Sequence, residues 1–317
     1  MPEPLAYLNG RILPISQAAL PVFDLGVAMG VSVTELLRTF RHEIFRLPEH
    51  LERLFQSARA VGIELDHTPE SLSDLATELV AQNARLIPPR HDLGVTIFAT
   101  GGTSLTYTGM AGVATHRKPT VCVHTFPLPF ELYAPRFDQG LHLVTPTIRQ
   151  IPPETIDPRI KCRSRMHWFL ADDEARRTDP QAMALLLDQS GQITETSTSN
   201  LFLIRQRKLL APPESTVLGG ISLQVVRELA GKLGLEFERC RLSLFDLYTA
   251  DEAATCSTTY CLMPVTRCNR RQIGTGRMGP LTEQLLSAWS DLVGLDIDQQ
   301  IRTGAAERMA AMETPES

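Results

Sequence analysis

Lys161 is one of only four lysines in a chain with 31 basic residues; the others are Lys118, Lys208 and Lys232. Elsewhere the sequence uses arginine for positive charge, and Arg159, Arg163 and Arg165 surround Lys161. An amine can lose its proton and add to a carbonyl, whereas a guanidinium stays protonated. The other lysines have plain readings: Lys118 beside Pro119 in a loop, Lys208 in a turn, Lys232 in the last turn of a helix, where the dipole favours it. For Lys161 the competing reading is a solvated surface charge. Cys162, its neighbour, is a second candidate nucleophile, but no histidine is placed by sequence to activate it.

Four further groups could act with such an amine. Glu195 sits among Thr194, Thr196, Ser197, Thr198 and Ser199, and a carboxylate supported by hydroxyls can stay ionised against a ring nitrogen. Gly219-Gly220-Ile221-Ser222 opens a helix, bringing backbone N–H groups, a hydroxyl and the positive helix end together as a phosphate cradle. Arg53, at the edge of an apolar helix stripe, could point toward an anion. Ser257-Thr258-Thr259 offers hydroxyls to phosphate or carboxylate oxygens. Each also has an ordinary reading: a loop charge, a glycine-opened helix, a solvated helix charge, the polar face of a strand.

The elements that must position these groups follow from periodicity. Short strands are expected over 5–15, broken at Asn9-Gly10, and over 43–47. A loop carrying Gly26 and Gly30 precedes a strand from Val33 to Phe40. Pro48 to Val61 reads as a helix with Leu47, Leu51, Leu54, Ala58 and Val61 in one stripe and Gly62 after it. Thr68 caps a second helix whose face is Leu72, Leu75, Leu79 and Leu86, stopped by Pro88-Pro89. Strands are expected over 95–100 and 120–125, and the proline-rich stretch 127–135 reads as a linker. Beyond it come a strand from Leu141, a helix over 163–177 with Met166, Phe169 and Leu170 on one side, and paired strands at 184–188 and 200–204. Helices over 221–233 and 281–293 follow, and the polar tail from about Asp296 is expected to fray.

At 317 residues the chain is long enough for a large core in a two-lobed unit or two domains. Its 43% hydrophobic and 21% charged content are those of a soluble globular protein. A net charge of −5 gives no reason to expect nucleic acid or a membrane surface as partner. No apolar run approaches the ~20 residues needed to span a bilayer, and no basic-then-apolar signal opens the sequence. The six cysteines form no CxxC pair or metal-like spacing, so no metal is expected, and they read as reduced thiols of a cytoplasmic protein.

Taken in order, the pieces resemble a family. They are Asp24-Leu-Gly26, Gly30 to Glu35, His50-Leu-Glu-Arg53-Leu, Lys161, Leu186-Leu-Asp-Gln-Ser-Gly191-Gln-Ile-Thr-Glu195-Thr-Ser-Thr-Ser-Asn200-Leu-Phe, Leu218-Gly-Gly-Ile221-Ser222, and Ser257-Thr-Thr with Met263-Pro264-Val265. Over roughly residues 5–290 the chain is similar to the class IV aminotransferases, the fold-type IV pyridoxal-phosphate enzymes. That group holds branched-chain and D-amino-acid aminotransferases and 4-amino-4-deoxychorismate lyases, and the stretch from Leu186 to Phe202 is its most specific piece here.

The resemblance implies an α+β fold: a smaller N-terminal α/β domain over 1–126, a linker over 127–135, a larger α+β cofactor-binding domain over 136–295 and a flexible tail over 296–317. The cofactor, pyridoxal 5′-phosphate, would lie in the cleft between the domains of a homodimer. Lys161 would form the Schiff base and carry the proton between Cα and C4′; Glu195 would pair with the pyridine nitrogen. Arg53, the amides around Gly220, Ile221 and Ser222, and Ser257 and Thr258 would hold the phosphate. Thr34, Thr258 and Thr259 would face the substrate, an amino acid of the branched-chain kind exchanging its amino group with a 2-oxo acid. The same fold also admits aminodeoxychorismate lysis or a cofactor-binding relative without turnover. Three departures bear on the substrate. Thr34 replaces a pocket-lining aromatic, Met166 stands where many branched-chain members carry tyrosine, and Ile97-Phe-Ala-Thr100-Gly-Gly lacks the arginine that D-amino-acid enzymes place there. Arg163 and Arg165 leave room for an acidic substrate.

Overall fold

A computed structural model describes residues 3–109 and 118–313. The chain divides into two compact units, residues 1–128 with 160–164, and residues 129–159 with 165–317. The short piece around Lys161 thus belongs with the first unit although 31 residues of the second precede it.

The first unit is a six-stranded sheet in the order Arg11–Pro14, Leu5–Leu8, Thr120–Pro127, Leu93–Thr100, Ser32–Phe40, Glu43–Ile44. Every pair in it is antiparallel. The first hairpin turns at Asn9 and Gly10, both with positive φ (49° and 87°), the turn chemistry that dipeptide favours. Val33, Leu37, Val95, Ile97, Val121 and Val123 point to one face, where the helices Leu47–Ala60 and Pro69–Asn83 cover them with Leu47, Leu51, Leu54, Leu72 and Leu79. Strand parity and helix pitch built this core from residues the sequence marks. Two limits of that reading show. The expected strand at 43–47 is only Glu43–Ile44, because Leu47 already begins the helix. The second helix stops at Asn83, whose side chain bonds Leu5 N and O and Thr125 Oγ1, and Leu86 is left exposed.

The second unit is a nine-stranded mixed sheet. Its path runs Glu236–Arg239, Lys208–Ala211, Asn200–Arg205, Glu252–Ser257, Cys261–Cys268, Leu141–Val144, Met183–Leu187, Ile193–Thr196, with Arg271–Gln272 pairing Cys261–Cys268. The strands Met183–Leu187 and Asn200–Arg205, expected as partners, are not paired. Instead Asp188-Gln-Ser-Gly191 makes a tight turn, with Asp188 Oδ1 accepting from Ser190 N and Gln192 N and Gly191 at φ +80°. That turn folds Ile193–Thr196 back onto Met183–Leu187 and puts Glu195 in a strand.

Three segments depart from expectation. The 127–135 stretch, expected as a linker, runs into a helix: Phe130–Gln139, with Pro135 inside it, where the ring removes one donor without ending the helix. The tail is a helix from Ile297 to Glu313, burying Ile297, Ile301 and Ala305 at a helical spacing. A Cβ on Gly304 would stand 2.4 Å from the Phe130 ring, so this glycine lets the two helices approach. The last four residues, 314–317, lie outside the described residues. In the helix Met166–Thr178 the buried side is Trp168, Ala171 and Ala175, not Met166, Phe169 and Leu170, which are exposed. The alanines let this helix sit close on its strand, which longer side chains would prevent.

Candidate functional site

Lys161 is held by its backbone. Thr34 N donates to Lys161 O at 2.9 Å and Arg163 N to Ser32 O at 3.0 Å, on either side of an antiparallel bridge between Val33 and Cys162. Lys161 N donates to Ser57 Oγ at 3.2 Å, and Ser164 Oγ to Gly30 O at 2.6 Å. The lysine is therefore clamped to the edge of the sheet beside the Leu47–Ala60 helix, and Ile160 packs on that unit's core.

That helix carries a buried polar stripe, His50, Arg53 and Ser57, next to its apolar one. The spacing of three and four puts them on one side. Opposite stands Glu35, fully buried between Val33 and Leu37 on the core face of its strand. Arg53 Nε and Nη2 donate to Glu35 Oε1 and Oε2 at 2.7 and 2.6 Å, and His50 Nδ1 lies 2.7 Å from Oε2. Burial works against ionising Glu35, but the charge and hydrogen bonds of Arg53, with those of His50, outweigh it and hold the carboxyl at about 2. Burial lowers the His50 pKa against the pull of Glu35, and the charges of Arg53 and Lys161 lower it further. His50 is thus neutral at pH 7, and the lysine's charge is felt inside this group. Glu35 and His50 had no part in the site read from sequence. A lone carboxylate among alternating apolar strand residues was the available signal. Thr34, on the other face, donates Oγ1 to Ile97 O at 3.2 Å.

In the second unit Glu195 is buried and joined to Asn200, whose Nδ2 donates to Oε2 at 3.0 Å. Leu218 N donates to both carboxylate oxygens at 3.3 Å, and Asn200 Nδ2 also reaches Leu218 O at 3.1 Å. The hydroxyls of Thr194 and Thr196 have other partners. Thr194 Oγ1 is spent on Leu186 O, and Thr196 Oγ1 lies between Ser199 O and Ser199 Oγ. Asn200 is the partner that composition did not single out.

Gly220 follows directly. A Cβ there would lie 1.8 Å from Asn200 Oδ1, so only glycine lets the chain pass this amide, whereas a Cβ on Gly219 would meet nothing within 4 Å. The helix Ile221–Lys232 begins here with no side-chain cap, and Ile221 and Ser222 are buried at its first turn. Its leading N–H groups have no intrahelical partner. Ser257 Oγ donates to Thr198 O at 2.9 Å, Thr258 is half-buried, and Thr259 Oγ1 accepts from Tyr133 at 3.0 Å. Among the described residues, no group of three or more His, Cys, Asp or Glu could hold a metal ion. No helix among them is long and apolar enough to cross a membrane.

A model of the amino-transferase class IV family matches residues 32–268, a span that holds Glu35, His50, Arg53, Lys161, Glu195 and Asn200. The chain belongs to the class IV aminotransferases. It is 32% identical over 290 residues to branched-chain-amino-acid aminotransferase-like protein 1 of Arabidopsis thaliana, covering 91% of this chain and 50% of that protein. It therefore spans about half the length of that relative. With the D-alanine aminotransferase of Bacillus licheniformis it shares 29% identity over 282 residues, covering 88% of this chain and 94% of that one. A solved structure of the Escherichia coli branched-chain amino acid aminotransferase superposes with a TM-score of 0.84 at 26% identity, covering 92% of this chain and 95% of that one. The fold is that of the fold-type IV enzymes, with the departures at Thr34 and Met166 both inside the matched span.

Proposed function

We propose that the protein is a pyridoxal-phosphate-dependent aminotransferase, moving an amino group between an amino acid of the branched-chain kind and a 2-oxo acid. The observation that carries the reading is the clamped lysine itself, held at the sheet edge beside the buried Glu35, His50 and Arg53 in a member of this family. The donor set suits the cofactor. An uncapped helix start behind an open Gly219, Ser222 and Thr258 hydroxyls, and an arginine are the chemistry a dianionic phosphate needs. A carboxylate gripped by Asn200 and Leu218 N is the chemistry a protonated ring nitrogen needs.

When bound, pyridoxal phosphate supplies a ring that draws off the electron pair released at the substrate Cα. Lys161 Nζ would hold the cofactor and, once freed by substrate, would move the proton at the substrate Cα. Glu195, its carboxylate oriented by Asn200, would hold the proton on the ring nitrogen. Arg53, the Ile221 and Ser222 amides, Ser257 and Thr258 would hold the phosphate. Thr34, Thr258 and Thr259 would face the substrate. The branched-chain assignment rests on the names carried by the Arabidopsis relative and the Escherichia coli structure. A cytoplasmic homodimer is part of the same reading, and sedimentation at the mass of one chain would remove the dimer from it.

The test is the visible spectrum of the cofactor-loaded protein during titration with L- and D-forms of leucine, valine and alanine. Bleaching of the bound-cofactor band by the branched-chain donors, restored by a 2-oxo acid, is the expected result. A band that no amino acid changes would contradict turnover.

A further inference from the structure

The strip Ile160–Ser164, which carries Lys161, joins the first unit while the chain on both sides of it belongs to the second. What holds the strip there is therefore what places the lysine. Two main-chain bonds, Thr34 N to Lys161 O and Arg163 N to Ser32 O, flank the bridge between Val33 and Cys162. An antiparallel ladder carried one pair further would take Lys161 N to the Thr34 carbonyl and close a doubly bonded pair. Here Lys161 N turns instead to Ser57 Oγ, at 3.2 Å. The strand pairing ends at the lysine, and a side chain of the Leu47–Ala60 helix takes up the N–H that the sheet leaves.

Ser57 is an unexpected residue for its place. It is 3% exposed, in a helix interior beside Leu54 and Ala58, which are fully buried. Alanine there would be the better helix former and would bury no polar group. A serine inside a helix can turn its hydroxyl back to the carbonyl four residues earlier. This one accepts the Lys161 N–H, the one partner of its hydroxyl among the described residues.

The consequence for the lysine is geometrical. Its C=O is held by the strand and its N–H by the helix, on the two sides of its Cα. Two fixed points on the main chain set the direction of the Cα–Cβ bond, and with it the line along which the amine approaches its target. Without the serine hydroxyl the strip keeps its two main-chain bonds and the packing of Ile160, but the Lys161 peptide is free to swing.

We propose that Ser57 is a positioning residue for Lys161, fixing its main chain so that Nζ meets the proton it moves. Its loss slows that transfer without loosening the cofactor. This rests on the aminotransferase reading above, which makes Lys161 the group that moves the substrate Cα proton.

The experiment compares cofactor-loaded wild type, Ser57→Ala and Ser71→Ala. Ser71 shares a capping box with Thr68 at the start of the neighbouring helix, so its variant also gives up hydrogen bonds in the first unit and controls for lost stability. The amino acid that bleaches the wild-type cofactor band fastest is mixed with each protein, carrying hydrogen or deuterium at Cα. In Ser57→Ala the bleaching rate falls about tenfold or more, with a deuterium effect at least as large as the wild type's and pyridoxal-phosphate affinity unchanged. Ser71→Ala keeps the wild-type rate. An unchanged rate in Ser57→Ala overturns the proposal. So does an equal loss in Ser71→Ala, a deuterium effect that shrinks, or a loss accounted for by weaker cofactor binding.

Amide hydrogen exchange on the same three proteins separates the two claims. If the wild type transfers no amino group from any donor, the aminotransferase reading falls. Exchange at the Lys161 amide that is faster in Ser57→Ala than in Ser71→Ala then still supports the anchoring, and equal exchange overturns it.

Discussion

Glu35 is the residue on which the buried polar group of the first unit turns. Its carboxylate is the counter-charge for Arg53 and the hydrogen-bond partner of His50, all inside the protein. Glu35→Gln removes the carboxylate charge that faces the buried Arg53 guanidinium, and the expected loss of unfolding free energy is ~3–5 kcal/mol, read from urea transitions. The folded-state pKa of about 2 lies below the ordinary 4.5, so the unfolded chain takes up the proton first as pH falls. The stabilisation is therefore complete above about pH 4.5 and lost between 4.5 and 2. Urea midpoints measured across that window should fall less steeply for Glu35→Gln than for wild type; equal slopes would assign the acid sensitivity elsewhere. Lys161 and Glu195 were noticeable in the sequence because their types are rare or oddly placed, and the roles given them belong to the proposal. The partnerships of Glu35, His50 and Asn200 were not, because strand parity, helix pitch and one turn bring them together across 5 to 18 positions.

At the scale of elements, the start of the Ile221–Lys232 helix is the part most sensitive to a small change. Gly220 passes the Asn200 amide with no room for a Cβ, and that amide orients Glu195. Gly220→Ala forces Asn200 or the helix start to move, and affinity for pyridoxal phosphate should drop about tenfold or more, a cost of ~1–3 kcal/mol. Fluorescence titration measures it, with Gly219→Ala as the comparison, since a Cβ there meets nothing. Equal affinity in both variants would dismiss the steric account. This helix was legible end to end, since Ile221, Val225 and Leu229 repeat at its period and Gly234 follows its end. The helix after Lys161 was legible in extent but not in face. Its apolar residues on both sides gave the periodicity two solutions, and the smaller side chains won the core.

Across the whole molecule, the sequence supported two lobes and the identity of most strands, and it failed where order depends on distant partners. Prolines at 127, 129 and 135 read as a linker, yet a helix forms because its buried Phe130 and Phe137 have the C-terminal helix to pack on. That helix looked like a frayed tail because its apolar positions, Ile297, Ile301 and Ala305, are sparse; Gly304 makes the contact close, and Arg302 pairs with Asp138 across it. The return of residues 160–164 to the first unit is a further long-range event that no local pattern announces.

All the chemistry assigned to this chain needs Lys161 to be the point of covalent attachment. Borohydride reduction of the pyridoxal-phosphate-loaded protein, followed by digestion and mass spectrometry of the labelled peptide, asks that directly in a chain with only four lysines. The account predicts the reduced cofactor on the peptide containing Lys161, and no label in Lys161→Ala protein that still binds the cofactor. Label on Lys118, Lys208 or Lys232 in its place would contradict it.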